Sequence, residues 1–258
     1  MRLLEQTGSL KVSILAKKLN TSQLTIRRDL DVLEKEKKIE RYHGGAVLTQ
    51  QPMKNINIFS SDLTLYKHAI ARKAASFIED GDTIFINTSS TALFMIPYIK
   101  ARQITIITNS VKAVSSNRHK ESELVLTGGE ILMPKEAMVG DFTLNTLNKV
   151  MASKCFLGCN GITVEEGVTT AVLQEATVNR QMLTRVTGKR FILADRTKIG
   201  RRLNFVYGSL SDINCLITDT EADLSEVEKL KGVIEVVRVE PLSGFNNLRN
   251  ENADGELE

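Results

Sequence analysis

Between residues 83 and 239 the chain keeps to one theme. Short runs of Ile, Val, Leu and Phe alternate with segments whose apolar residues recur at helical spacing. A continuous apolar run of four or five residues suits a strand covered on both faces, and the intervening helices supply the covers, so the pattern predicts a mostly parallel α/β sheet. Strands are expected at 83–87, 104–108, 123–126, 154–158, 191–194, 215–217 and 235–239, with helices at 92–100, 110–117, 141–150, 172–187 and 225–231. Ligands of such sheets gather beyond the carboxyl ends of the strands. The strand-end loops contain Asn87, Ser89, Ser90 and Thr91, then Asn109, Gly128 with Gly129, Asn160, and Asp195 with Lys198. The first loop runs into a helix start, where free amides and the helix dipole favour an anion such as phosphate. Residues 89–92 would hold that group and Lys198 would add a point charge, while Asn160 and Asp195 would address hydroxyls. A Ser/Thr cluster before a helix is often only a cap, and Gly-Gly only a turn. Several such loops on one edge of one sheet point to a ligand more strongly than any one of them.

A different pattern opens the chain. Leu15, Ala16 and Leu19 form one apolar face, Ile26, Leu30 and Leu33 another, and Asn20 stands between them where a tight turn needs a residue tolerant of positive φ. Thr21 or Ser22 supplies an oxygen to cap the second helix. The face of that helix away from the core carries Leu24, Arg28, Asp31 and Lys35, flanked by Thr25 and Arg27. Its first turn of Ser, Gln, Thr and Arg, without an acid, suits entry into a DNA major groove. Two helices alone would be matched equally well by an ordinary hairpin with a solvated basic face. The neighbouring stretch favours DNA: residues 39–47 are short, extended in pattern and end in the paired Gly44–Gly45, as expected of a β-wing, here carrying Arg41 and His43. The candidate DNA contacts are Ser22, Gln23, Thr25, Arg27, Arg28, Arg41 and His43.

Charge divides the same way. Residues 1–54 hold 11 Lys/Arg against 6 Asp/Glu, a balance of +5, while the remainder holds 23 against 25, a balance of −2. A basic head on a nearly neutral body fits a DNA-reading module joined to a part that reads something else. The expected domains are 1–54 and 62–240, joined by a polar linker at 48–61 and followed by a polar, acidic, disordered tail at 241–258. Met1–Gln6 reads as the remnant of a first helix, and 62–79 as an amphipathic helix whose Lys67, Arg72 and Lys73 form a solvated face. No apolar run spans a bilayer, which points to a cytoplasmic protein. Cys155, Cys159 and Cys215 form no C-x-x-C pair and the three histidines are scattered, so neither a disulfide scaffold nor a metal site is expected, and no cofactor.

Thr-Ile-Arg-Arg-Asp-Leu (25–30) and His-Gly-Gly-Ala (43–46) resemble the DeoR family of bacterial sugar-operon repressors. So do Ser-Ser-Thr-Ala (89–92), Thr-Asn-Ser (108–110), Gly-Gly (128–129), Phe-Leu-Gly-x-x-Gly-Ile (156–162), Gly-Val-Thr-Thr (167–170), Leu-Ala-Asp-x-x-Lys (193–198) and Thr-Asp (218–219). The resemblance covers about residues 10–240. It implies a winged helix-turn-helix followed by an α/β sensor domain similar to ribose-5-phosphate isomerase, acting as a repressor controlled by a phosphorylated sugar. The implied partners are double-stranded operator DNA and further copies of the chain, as a dimer or tetramer, with no membrane. The sequence departs from the family pattern at Asn87 and Asn160, where Asp is common, at Asn179, where Lys or Arg is usual, and at Lys37, where a glycine often ends the recognition helix.

A sugar-phosphate isomerase is the competing reading. It needs a carboxylate base over the sugar, for which Glu165, Glu166, Glu175 and Asp195 are candidates, but the Asn160 loop lacks an acid. A pure interaction module explains the strand-end loops poorly.

Overall fold

The computed structural model describes residues 9–19, 21–35, 39–42, 45–48 and 62–242, and the chain divides into two compact units at Ser60/Ser61. The expected helix remnant at 1–6, Asn20, Lys37, His43, linker residues 49–61 and the tail from 243 lie outside the described residues.

In the first unit, β1 (Ser9–Lys11) leads into α1 (Val12–Lys18) and α2 (Gln23–Lys35), followed by β2 (Ile39–Tyr42) and β3 (Gly45–Leu48). β3 runs antiparallel between β1 and β2, with Tyr42 opposite Gly45 at the closed end of the wing hairpin. β1 is too short to show alternation and becomes a strand only by pairing with β3. Val12, Leu15, Ala16, Ile26 and Leu30 are buried together with Leu33 against them. Leu19, expected beside Leu15, is exposed because it falls just past the end of α1, and Val12 takes its place. The Ser22 hydroxyl accepts the Thr25 amide at 3.1 Å, so Ser22 is the helix cap.

The second unit opens with α3 (Asp62–Ala75) and holds β4 (Thr83–Ile86), β5 (Thr105–Thr108), β6 (Glu123–Leu126), β9 (Lys154–Gly158), β12 (Arg190–Leu193), β14 (Cys215–Asp219) and β15 (Glu235–Val239). These seven form one sheet in the order β15-β14-β12-β9-β4-β5-β6, and every pairing in it is parallel. Alternate side chains feed two cores. Ile84, Ile86, Phe156, Phe191 and Ile217 face Ile70, Ala74 and Ile96, while Phe85, Leu157, Ile192 and Leu216 face the helices α5 (Asp141–Asn148), α6 (Leu173–Thr184) and α7 (Leu224–Lys231). Phe156 and Phe191 stack with centroids 4.8 Å apart. Each such side chain stabilises the fold by about 1.5–3 kcal/mol.

Several expected helices are shorter. The segment 92–100 breaks into α4 (Ser90–Leu93) and a 3-10 turn at Ile96–Tyr98, because Pro97 cannot donate into a continuing helix. The segment 110–117 is a 3-10 stretch, Val111–Ser115. Five short strands were not expected. Two form the β7 (Glu130–Leu132)/β8 (Ala137–Val139) hairpin, and β10 (Gly161–Thr163), β11 (Gly167–Thr170) and β13 (Phe205–Gly208) form an antiparallel sheet. Runs of three or four residues fall below what period-two alternation reveals.

Strand order creates the opening for a ligand. From β4 the chain moves outward to β5 and β6, then returns to place β9 on β4's other side. The crevice where strand order reverses lies between the ends of β4 and β9.

Candidate functional site

That crevice holds a cleft of about 300 Å³, small-molecule size at the lower end of the usual range. Its floor is Gly158, at the end of β9. The Asn87 amide donates to the Gly158 carbonyl at 2.9 Å and Asn87 Oδ1 accepts the Gly158 amide at 3.0 Å, tying the two strand ends together. The Tyr207 hydroxyl, whose pKa burial raises well above its ordinary value, donates to the same carbonyl at 3.0 Å. Only glycine fits here: a Cβ would stand 1.9 Å from Ser89 Oγ. The loop 87–91 therefore lies directly on β9, and the first amides of α4 are without helical partners as at any helix start.

The walls carry Ser89, Ser90, Thr91, Asn160, Asp195 and Lys198 as expected from sequence, together with Lys67, Lys112, Lys135, Thr170, Glu175 and Asn179. Four lysines against two carboxylates leave a formal surplus of two positive charges. Asp195 is almost fully buried. Its Oδ1 accepts the Thr197 amide at 3.0 Å and hydroxyl at 2.5 Å, while Oδ2 lies 3.8 Å from Lys67 Nζ and has no hydrogen-bond partner among the described residues. The Thr170 hydroxyl lies 2.8 Å from Asn160 Oδ1 and 3.1 Å from Glu175 Oε2. Desolvation pushes the Cys159 thiol up to about 12, so this cleft residue stays a neutral thiol. The same cause holds Cys155 at about 12.

Three residues expected in this site do not line it. Gly128 and Gly129 turn β6 into β7, where the Thr143 hydroxyl donates to the Gly128 carbonyl at 2.5 Å and a Cβ on Gly129 would meet Thr143 Oγ1 at 2.4 Å. Asn109 is buried and donates to the Met138 carbonyl at 3.0 Å, holding the β8 hairpin strand. Conversely, Lys67 is not merely a solvated residue of α3. Glu175 and Asn179 share an i, i+4 face of α6 just after the Thr170 loop, a signal that could have placed both in the cleft. Lys112 follows Thr-Asn-Ser and was open to the same edge argument. Lys135 sits in a hairpin that the sequence does not announce.

Two departures from the family pattern meet in space. The Asn87 amide donates to Asn179 Oδ1 at 3.1 Å. The acid implied at 87 and the cation implied at 179 would face each other, and here a neutral amide pair replaces both, cancelling in charge.

In the first unit, Ser22, Gln23, Thr25 and Arg28 are exposed along the start of α2. Ser22 Oγ and Thr25 Oγ1 lie 2.9 Å apart within the cap. The side chains of Arg27 and Arg41 lie outside the described residues. Of the isomerase-type acids, Glu165 and Glu166 do not line the cleft, and Glu166 pairs with Arg202 at 2.8 Å. No cluster of His, Cys, Asp and Glu able to hold a metal occurs among the described residues, and no helix there is long and apolar enough to cross a membrane.

Residues 64–220 match the DeoR C terminal sensor domain and residues 1–52 the DeoR-like helix-turn-helix domain. The chain is 34% identical over 246 residues to the HTH-type transcriptional regulator YulB of Bacillus subtilis, covering 94% of this chain and 95% of that protein. It is 32% identical over 243 residues to the lactose phosphotransferase system repressor of Streptococcus mutans, covering 92% and 95%. Among solved structures, ribose 5-phosphate isomerase A of Methanocaldococcus jannaschii aligns at 19% identity and a TM-score of 0.38, over 54% of this chain and 55% of that one, about half the length of each. The two domain matches, adjoining in one chain, and relatives aligned almost end to end lead to one conclusion: this protein belongs to the DeoR family.

Proposed function

We propose that this protein is a DNA-binding repressor of a carbohydrate-utilisation operon, controlled by a phosphorylated sugar bound in the cleft between β4 and β9. It works in the cytoplasm as a homo-oligomer and catalyses no reaction on that sugar. The observation that carries this reading is the cleft's make-up. A hydroxyl-rich loop enters a helix at the switch point of a parallel sheet, under a surplus of two positive charges, in a chain whose other unit is a helix-turn-helix. The phosphate takes the amides of 89–92 and the hydroxyls of Ser90 and Thr91, with Lys198 as counter-charge; Asn160 and Asp195 read the sugar's hydroxyls. Asp195 Oδ2, 3.8 Å from Lys67 Nζ but without a hydrogen-bond partner among the described residues, supports that role. Relatives named lactose phosphotransferase system repressors support a carbohydrate operon. Operator contact falls to Gln23, Thr25, Arg27 and Arg28 of α2, with Ser22 and the wing residues Arg41 and His43 beside them.

The test is a calorimetric screen of pentose and hexose phosphates against their unphosphorylated sugars, paired with a turnover assay and operator binding. Charge-assisted hydrogen bonds of this kind contribute roughly 1.5–3 kcal/mol each. Thr91→Ala or Lys198→Ala therefore raises the Kd at least several-fold while ligand-free operator binding stays intact. Equal affinity for the unphosphorylated sugar, normal binding by both variants, or turnover of the sugar phosphate would sink the reading.

A further inference from the structure

We propose that Lys135 is an effector-contacting residue whose charge is offset by Glu175: its ammonium donates to the anionic group of the cleft ligand, and the Glu175 carboxylate beside it reduces the positive charge that ligand meets. This rests on the reading that the cleft takes a phosphorylated sugar.

Lys135 stands in the turn between β7 and β8, 40 residues before Glu175 in the chain. Its Nζ lies 2.7 Å from both Glu175 oxygens and donates to Oε2, and both residues line the cleft. The partners differ in exposure. The Lys135 side chain is 41% exposed and that of Glu175 only 6%. An ammonium has three N–H groups in tetrahedral array. The carboxylate can take no more than one on each oxygen, so at least one remains for a further acceptor. A buried carboxylate does not readily give up its cation, because an unpaired buried charge is strongly unfavourable. The ion pair therefore stays together when a ligand arrives, and presents an open donor while its own net charge is near zero.

The effects of substitution reflect that charge balance and differ in sign. Glu175→Gln keeps the shape and the Thr170 contact but removes the negative charge, so the ligand meets a full ammonium and binds more tightly. Lys135→Met removes the donor and strands Glu175, so affinity and stability both fall. The double variant removes both charges without leaving one buried alone. It recovers stability and still lacks the donor. A purely structural ion pair behaves otherwise, since once the double variant is folded its ligand affinity is that of the wild type.

Titration calorimetry of the full chain with inorganic phosphate and with fructose 6-phosphate, beside thermal unfolding, reads all three variants. The expected result is at least a three-fold gain in affinity for E175Q and at least a five-fold loss for K135M. For K135M/E175Q the loss stays while the unfolding temperature returns toward that of the wild type. Wild-type affinity in the double variant overturns the proposal, as does the absence of a gain in E175Q. If neither probe nor any pentose or hexose phosphate of the screen above binds the wild type, the cleft reading falls and takes this proposal with it. If Thr91→Ala weakens binding and K135M does not, the cleft reading stands and the Lys135 assignment alone fails.

Discussion

His68 projects from α3 onto the ring of Phe94, centroids 4.2 Å apart and planes within 9°, with Nδ1 3.0 Å from the Tyr98 hydroxyl. Burial lowers its pKa from 6.5 to about 4. Between those values the unfolded chain binds a proton that the folded chain refuses, so stability is full above pH 6.5 and drains away as pH falls toward 4. The ring is only partly buried, and after allowance for solvent the contribution is about 1–2 kcal/mol. His68→Gln is expected to narrow the difference in Tm between pH 7 and pH 4.5; an unchanged difference refutes the assignment. At the other unit, Arg28 is exposed on the acid-free start of α2. A bidentate contact to guanine discriminates by roughly 1–3 kcal/mol, so Arg28→Ala should weaken operator binding about ten-fold in a filter or fluorescence assay, with the fold unaltered. Single residues were unevenly legible. Ser89, Ser90 and Thr91 could be named in advance because strand, loop and helix start are contiguous in sequence. Lys135 and Glu175 could not be paired, because nothing local brings positions 40 residues apart together.

Among elements, β4 and β9 matter most, and their pairing is anchored at the end away from the cleft. Asp82, just before β4, is buried and accepts from Lys154 Nζ, at the start of β9, at 2.6 Å. It also accepts the Ser153 hydroxyl at 2.6 Å and the Glu79 amide at 2.8 Å. Burial works to raise the Asp82 carboxyl, but these donors outweigh it and hold the pKa below the ordinary value. The pair's contribution is therefore present above the carboxylate range and lost in strong acid. Lys154→Met strands the carboxylate and should cost about 3 kcal/mol, visible as a lower denaturation midpoint. Adding Asp82→Asn should restore much of it, and failure to do so would show that the lysine acts by packing alone. The strands themselves were predictable from apolar runs, whereas their neighbours in the sheet were not. The segment 92–100 shows the limit of periodicity, since its apolar spacing suits a helix but Pro97 ends it.

For the whole molecule, the division of charge between the first 54 residues and the rest is visible before any folding. One small helix-turn-helix covers too little DNA for a specific operator, and paired half-sites are the usual answer. Sedimentation at micromolar concentration is accordingly expected to give a dimer or larger; a monomer with full operator affinity excludes this. The sequence by itself determined that a basic helix-turn-helix precedes a parallel α/β unit, and which strand-end loops offer hydroxyls and amides. Periodicity, caps and glycine-bearing turns are local, and their physics acts within a few residues. Only the tertiary structure decided the strand order that sets the β4 and β9 ends side by side, left Gly128, Gly129 and Asn109 out of the cleft, and brought Lys67 and Lys135 into it. Those placements depend on which apolar faces find each other across the sheet, a choice made by packing between distant segments and written in no single stretch of the chain.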